Sequence, residues 1–233
     1  MKLSFASLLD LHLAALRKRA TAPVRIAVLD TGVDSSHPLL KSRIVASGAI
    51  AVDGDEISVV ETRLGVDNDV FGHGTSVASI VARTAPNAEI IDVRVLDAQN
   101  HGSADGIAAG MRYAIENGAR MLNMSLAASA SDSALMLEAL EEAYENNVIV
   151  IAAQKNFPIG DDGLPAQLSG SIGVGNDPDL KPNQWTFVRE HIEVSACGEN
   201  VEAAARGGGY TRVTGTSFAT PFIAGICCLA VGA

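Results

Sequence analysis

The chain has 233 residues, of which 48% are hydrophobic and 19% are charged, and its formal net charge is −10. This length and apolar content suit one α/β domain with a large core. The negative charge argues against nucleic acid or an anionic membrane surface as a partner. No apolar run is long enough to cross a bilayer, which also argues against a membrane protein.

The N-terminal segment is predicted to form an amphipathic helix. Within residues 1–20, apolar side chains recur at three- and four-residue spacing, and a basic run at 17–19 follows them. A secretory signal has the reverse order, with its basic residues before a continuous apolar core. We therefore expect residues 1–22 to be a helical segment that packs on the domain formed by residues 23–233, or on a partner.

The rest of the chain alternates between strand-like and helix-like segments. Strands are predicted over residues 24–29, 89–96, 120–124 and 148–153, with two short extended pieces at 171–175 and 191–196. Helices are predicted over 73–84, 103–117, 131–146 and from about 217 to 231, and glycines 207–209 predict a flexible hairpin tip. Such alternation predicts a parallel sheet covered by helices on both faces, with the active site at the carboxyl ends of the strands.

Three short motifs place reactive side chains at the edges of these elements. Asp30 directly follows the first predicted strand, in the motif D-T-G. His73 lies between two glycines at the start of a predicted helix. Ser217 lies at the start of the last predicted helix, in the motif G-T-S-F-A-T-P. Separately, Ser217 could cap a helix, His73 could be a helix-start residue, and Asp30 could belong to a turn or an aspartic-protease loop. Together they supply the nucleophile, the base and the carboxylate of a catalytic triad.

The three motifs and their order resemble the signatures of the subtilisin-like serine proteases, the subtilases. The resemblance runs from about Val24 to the C-terminus. The L-N-M-S-L segment at 122–126 is similar to the family's substrate-binding strand, and V-I-A-A-Q-K-N at 150–156 to the strand that ends in the oxyanion-hole asparagine. It implies an α/β fold of three layers, with a mostly parallel sheet between helices, and gives Asn156 the role of oxyanion donor.

The resemblance also implies where a peptide substrate binds. An extended peptide would pair with the backbone near Ser125–Ala127 and Gly102–Ser103. The implied substrate-binding residues are Gly102, Ser103, Ser125, Leu126, Ala127, Ala152, Ala153 and Gln154. Two departures from the family pattern, Ala127-Ala128 for Gly-Gly and Gln154-Lys155 for Ala-Gly, predict a narrowed or reshaped specificity pocket.

The implied activity is that of a serine endopeptidase that needs no cofactor and no catalytic metal. Many secreted subtilases insert a calcium-binding loop where this chain has only Arg83-Thr84, so we expect that calcium site to be missing. We expect a peptide or protein substrate, with a precursor peptide or a larger protein as a further candidate partner. Two alternatives stay open: a peptide-binding pseudoprotease and a peptide-maturation acyl transferase.

The cysteines and the chain ends bear on where the protein works. Cys197, Cys227 and Cys228 cannot form an even disulfide framework, and we expect them to be reduced core residues. Reduced thiols and the missing secretory pattern predict a cytoplasmic protein. The segment before Val24 is too short for an inhibitory pro-domain, and the chain ends soon after Ser217. Both features suggest a minimal intracellular subtilase, or a catalytic domain cut from a longer protein.

Overall fold

The computed structural model of the chain describes residues 5–54, 56–128, 130–156, 163–187 and 194–233. It contains five α-helices: α1 Phe5–Arg19, α2 His73–Thr84, α3 Ala104–Glu116, α4 Ser133–Glu145 and α5 Thr216–Val231. The strands are β1 Val24–Asp30, β2 Ile44–Asp53, β3 Glu56–Glu61, β4 Ala88–Arg94, β5 Met121–Met124, β6 Ile149–Ala153, β7 Ser171–Asn176, β8 Trp185–Phe187, β9 Val194–Ala196, β10 Val201–Ala204 and β11 Tyr210–Val213. None of the described helices is long and apolar enough to span a membrane.

Nine strands form one sheet in the order β3-β2-β4-β1-β5-β6-β7-β9-β8. Every pairing from β2 to β9 is parallel, and only the edge strands β3 and β8 run antiparallel to their neighbours. After β1 the chain forms β2, β3 and β4 on one side of it and then crosses to β5 on the other side, so β1 lies at the switch point of the sheet. In open α/β sheets such a switch point opens a crevice at the carboxyl ends of the strands.

Alternate residues of the central strands face two separate cores. Ile26 and Val28 of β1 pack with residues of α1, α2 and α5, whereas Ala27 and Leu29 pack with residues of α3 and α4. This alternation follows from the two-residue period of a strand. The predicted three-layer α/β fold with a mostly parallel sheet is therefore confirmed.

The predicted elements agree with the structure to within a few residues. Residues 191–193 of the last predicted extended piece lie outside the described residues, and its remainder forms β9.

The helix in the N-terminal segment packs on the domain, because Leu13 is buried in the core and Arg17 Nε donates to the Thr84 carbonyl. All three cysteines are free, and Cys197 and Cys228 are buried. The glycine hairpin tip lies between β10 and β11, where Asp34 and His37 bond to its backbone.

Candidate active site

Asp30 and His73 are in contact where the end of β1 lies beside the start of α2. Asp30 is the last residue of β1 and its side chain is fully buried, while His73 is the first residue of α2. The His73 Nδ1 atom lies 2.8 Å and 2.9 Å from the two carboxylate oxygens of Asp30. Since an ionised carboxylate only accepts hydrogen bonds, Nδ1 carries the proton and the neutral ring has its lone pair on Nε2.

His73 lies between opposing electrostatic influences. Burial alone would lower its pKa, but the charge and hydrogen bond of Asp30 and the charge of Asp69 raise the pKa above the ordinary value of 6.5. The Phe218 ring packs on the imidazole with the two ring centroids 5.2 Å apart. The ring is therefore held from the β1 side by a carboxylate and from α5 by an uncharged aromatic side chain.

Ser217 lies in the first turn of α5, one residue before Phe218, whose ring packs on His73. Its Oγ donates to the Ser125 carbonyl at 3.3 Å, and Ser125 Oγ donates back to the Ser217 carbonyl at 2.8 Å. These two bonds join the end of β5 to the start of α5. Within the described part of the chain, no hydrogen bond links Ser217 to His73, so Ser217 Oγ would have to turn away from Ser125 to reach the ring.

Asn156 lies beside the N-terminus of α5. Its Oδ1 accepts hydrogen bonds from Thr216 N at 3.0 Å and from Thr216 Oγ1 at 3.1 Å, which leaves the Nδ2 end of the amide to face away from Thr216. Gly215 precedes Thr216 with φ at 144°, and a Cβ there would come within 3.4 Å of Asn156 Oδ1. A glycine is needed at this position for its backbone angle.

A cleft of about 500 Å³ opens next to Ser217. Six of the predicted substrate-binding residues line it, together with Asn156, Thr216 and Ser217 of the site; the six are Gly102, Ser125, Leu126, Ala127, Ala153 and Gln154. The other two predicted substrate-binding residues do not line the cleft. Ser103 caps α3 by accepting from Gly106 N at 3.1 Å, because it directly precedes that helix. Ala152 is fully buried, because its side chain faces the core under α3 and α4.

Several contacts of the site were not predicted from the sequence. They are the two hydrogen bonds from Thr216 to Asn156, the packing of Phe218 on His73, and the five hydrogen bonds that Asp69 accepts. The sequence carries one signal for Asp69, which is an aspartate shortly before a helix N-terminus, where such residues commonly bond exposed backbone N–H groups. The contacts of Thr216 and Phe218 depend on long-range packing and have no local signature.

Comparison with known proteins identifies the family of the chain. Residues 22–233 match the model of the subtilase family. The chain is 38% identical over 218 residues to alkaline elastase YaB of Bacillus sp. (strain YaB), covering 88% of this chain and 53% of that protein. It is 34% identical over 217 residues to the intracellular serine protease of Paenibacillus polymyxa, covering 87% of this chain and 64% of that protein. Subtilisin Savinase of Lederbergia lenta is 36% identical, with 88% of this chain and 75% of that protein covered.

Among solved structures, sphericase superposes with a TM-score of 0.77 at 26% identity and covers 94% of this chain and 83% of its own. The chain spans about half to two thirds of the length of the first two relatives named above. From the family match over nearly the whole chain, the identity to several subtilisins and the shared fold, we conclude that this chain belongs to the subtilase family of serine proteases.

Proposed function

We propose that the chain is a serine endopeptidase that hydrolyses peptide bonds through Asp30, His73 and Ser217. The observation that carries the proposal is the double contact of the Asp30 carboxylate with His73 Nδ1, which leaves the lone pair on Nε2 to act as the base for Ser217. A buried carboxylate in this position orients the ring and stabilises the imidazolium without taking the proton itself.

The chemical steps follow from these positions. Ser217 Oγ turns from the Ser125 carbonyl and attacks the carbonyl carbon of the scissile bond while its proton passes to His73 Nε2. The C–N bond of the tetrahedral intermediate then breaks, and the same proton goes to the leaving amine. Water then attacks the ester carbon of the acyl-enzyme while its proton passes to His73 Nε2. The bond from this carbon to Ser217 Oγ breaks, Oγ takes the proton from His73, and the peptide leaves with a new carboxyl group.

The negative oxygen of the intermediate is stabilised by Asn156 Nδ2 and the Ser217 backbone N–H. Thr216 N donates to Asn156 Oδ1, and Phe218 N and Ala219 N donate to the Gly215 carbonyl. Within the described residues, the Ser217 N–H is the donor of this turn that has no protein acceptor. The N-terminal end of α5 adds the partial positive charge of its helix dipole at the same point.

The substrate specificity is proposed to be narrow. Gln154 is 8% exposed and lines the cleft, and a Cβ on the neighbouring Gly173 of β7 would lie 2.9 Å from its Nε2 atom. The long amide therefore packs against β7, and Ala127 adds a methyl group to the lining of the cleft. These features favour a processing protease that cleaves a limited set of peptides, such as a precursor peptide or one protein partner.

A second candidate function is peptide binding without turnover. It is favoured by one observation, the hydrogen bond of Ser217 Oγ to the Ser125 carbonyl in place of a bond to the base. In such a pseudoprotease, the cleft would hold an extended peptide and Ser217 would stay in its present rotamer. The two functions differ in turnover and not in the shape of the cleft.

Cleavage of a peptide library tests the proposal. The wild-type chain should cleave a restricted subset of peptides, and both Ser217→Ala and His73→Ala should lower kcat by on the order of 10⁶-fold. Both variants should keep the melting temperature and the affinity for the preferred peptides. If the wild type binds peptides but releases no fragments, the pseudoprotease function is the correct one.

We also propose that the protein works in the cytoplasm. Three free cysteines and the similarity to an intracellular serine protease support this location. Fractionation of cells that express the gene from its own locus should recover the protein with the cytosolic markers. Recovery from the culture medium would contradict the proposal.

A further inference from the structure

A second buried carboxylate lies between the segments that carry Asp30 and His73. Asp69 is four residues before His73 in the sequence and is 1% exposed. Its Oδ1 accepts from Phe71 N at 3.0 Å and from Gly72 N at 2.7 Å, so it fixes the turn that leads into α2.

The same carboxylate also bonds on both sides of this turn. Oδ1 accepts from Thr31 Oγ1 at 2.8 Å, and Oδ2 accepts from both the backbone N and the hydroxyl of Thr75, the N at 2.9 Å. Thr31 directly follows Asp30, and Thr75 lies in the first turn of α2. Five hydrogen bonds therefore converge on one side chain that touches neither a substrate nor the reacting atoms.

Thr31 completes the connection between the two segments. Its backbone N donates to Asp30 Oδ1 at 2.8 Å, and its hydroxyl accepts from Gly74 N at 3.0 Å while it donates to Asp69. A shift of Asp69 would thus be felt at Asp30 through Thr31 and at His73 through the first turn of α2. Buried networks of this kind are rigid only while every member has its partners.

We propose that Asp69 is a positioning residue for catalysis, which holds the strand end that carries Asp30 and the helix start that carries His73 at a fixed distance and orientation. This inference rests on the proposed function of the site. Its physical basis is that a reacting group displaced by about 1 Å can lose ~10²-fold in rate. The five hydrogen bonds are arranged to prevent such a displacement.

Asp69 also adds a charge to the surroundings of His73. The charged groups that act on the ring are Asp30, at the end of β1, and Asp69, in the turn before α2, and both raise the pKa of His73. The α5 side contributes the uncharged Phe218. Loss of the Asp69 charge should therefore lower the pKa of His73, whereas loss of a hydrogen bond alone should leave it nearly unchanged.

Two variants separate the geometric from the electrostatic contribution. Asp69→Asn removes the charge and turns an amide N–H₂ toward one of the donors that now bond the carboxylate. Thr31→Val removes the hydroxyl between Asp69 and Gly74 N but keeps the charge. Asp92→Asn is the control for loss of a buried carboxylate, because Asp92 is also fully buried and its Oδ2 accepts from Ser47 Oγ of a neighbouring strand.

The experiment measures kcat and KM on a cleaved peptide and the pKa of His73 by NMR titration of ¹³Cε1-labelled histidine, with His73→Ala to assign the signal. We expect kcat to fall ~10- to 100-fold in both Asp69→Asn and Thr31→Val, with KM within about threefold of wild type. The pKa of His73 should fall in Asp69→Asn only. The control should change neither quantity.

The inference is overturned if Asp69→Asn folds and keeps kcat, whatever the pKa of His73, since that result shows that Asp69 does not position the reacting groups. If Asp69→Asn does not fold, the Thr31→Val variant tests the inference instead. A kcat equal to that of wild type in Thr31→Val would also overturn it. If the wild type cleaves no peptide, the proposed function fails. In that case the NMR experiment still tests the inference without turnover: an Asp69→Asn variant that keeps both the ¹³Cε1 shift of neutral His73 and its pKa would overturn it.

Discussion

At the scale of single residues, the site is organised by the partners that each side chain already has. Asp30 uses both carboxylate oxygens on His73 Nδ1, and Asn156 uses Oδ1 on Thr216. The opposite ends of the two side chains, Nε2 of His73 and Nδ2 of Asn156, are the ends that a peptide substrate would meet. These hydrogen bonds lead to two predictions.

The first prediction concerns Asn156. Asn156→Ala should lower kcat by ~10²–10³-fold, the cost of removing one oxyanion-hole donor as measured on a subtilisin, because the amide bonds the oxygen most strongly once it is negative. KM should change little, and steady-state kinetics on a preferred peptide measures both constants. Asn146→Ala, at the exposed end of α4, is the control and should behave as wild type. A higher KM with unchanged kcat would contradict the role of Asn156 as oxyanion donor.

The second prediction concerns the pH dependence of turnover. His73 must be neutral to act as a base, and its pKa lies above the ordinary value of 6.5 because the influence of Asp30 and Asp69 exceeds that of burial. The acidic limb of kcat/KM should therefore have its midpoint above 6.5. His101→Gln removes another histidine that lines the cleft and should leave this limb unchanged. A limb that moves with His101 would show that the wrong histidine has been assigned.

At the scale of elements, the strands at the switch point combine buried apolar residues with a few buried polar ones. Asp92 in β4 is fully buried, and its Oδ2 accepts from Ser47 Oγ of β2 at 2.7 Å. Its Oδ1 has no hydrogen-bond partner in the described part of the chain. Burial raises the pKa of Asp92 from 3.8 to about 7.

The third prediction follows from this raised pKa. Between about pH 4 and 7, the folded chain holds a proton on Asp92 that the unfolded chain has lost, so the free energy of unfolding falls as the pH rises through this window. Asp92→Asn removes this contribution. The drop in melting temperature between pH 5 and pH 8 should therefore be smaller in the variant than in wild type, as measured by scanning calorimetry. Parallel curves for the two proteins would contradict the assignment.

The sequence predicted the central elements well and the edges of the sheet poorly. Strands β1, β4, β5, β6 and β7 are short apolar runs between turn signals, because they are covered by helices on both faces. Strands β2 and β3 were not predicted. The first is rich in small residues and the second has mostly exposed or half-exposed side chains, so neither shows a strong period. Their pairing depends on β4, which is far away in sequence.

At the scale of the whole molecule, two cores share one sheet, and the candidate site lies at its switch point. The helix that carries Ser217 and the helix that carries His73 pack on the same face, so the site depends on the contact between α2 and α5. Asp30, His73 and Ser217 could be selected from the sequence because each stands in a distinct motif. The rotamer of Ser217 and the five hydrogen bonds of Asp69 could not, since both depend on residues brought together only by the fold.

The fourth prediction concerns calcium. Helix α2 ends at Thr84 and β4 begins at Ala88, so this connection is too short for a calcium-binding loop. The melting temperature should be the same, within about 1–2 °C, in EDTA and in millimolar calcium. A site filled at about 100 times its Kd would instead add ~2.7 kcal/mol to the free energy of unfolding. A clear rise of the melting temperature in calcium would contradict the prediction.

An activated Ser217 should react with a fluorophosphonate, which labels nucleophilic serines and needs no knowledge of the substrate. The wild-type chain should form one covalent adduct that peptide mass spectrometry maps to Ser217. Ser217→Ala should form none, and His73→Ala should react far more slowly because the base is missing. If the wild type stays unlabelled under conditions that label a subtilisin, or if the adduct maps to another residue, the account of this site is wrong.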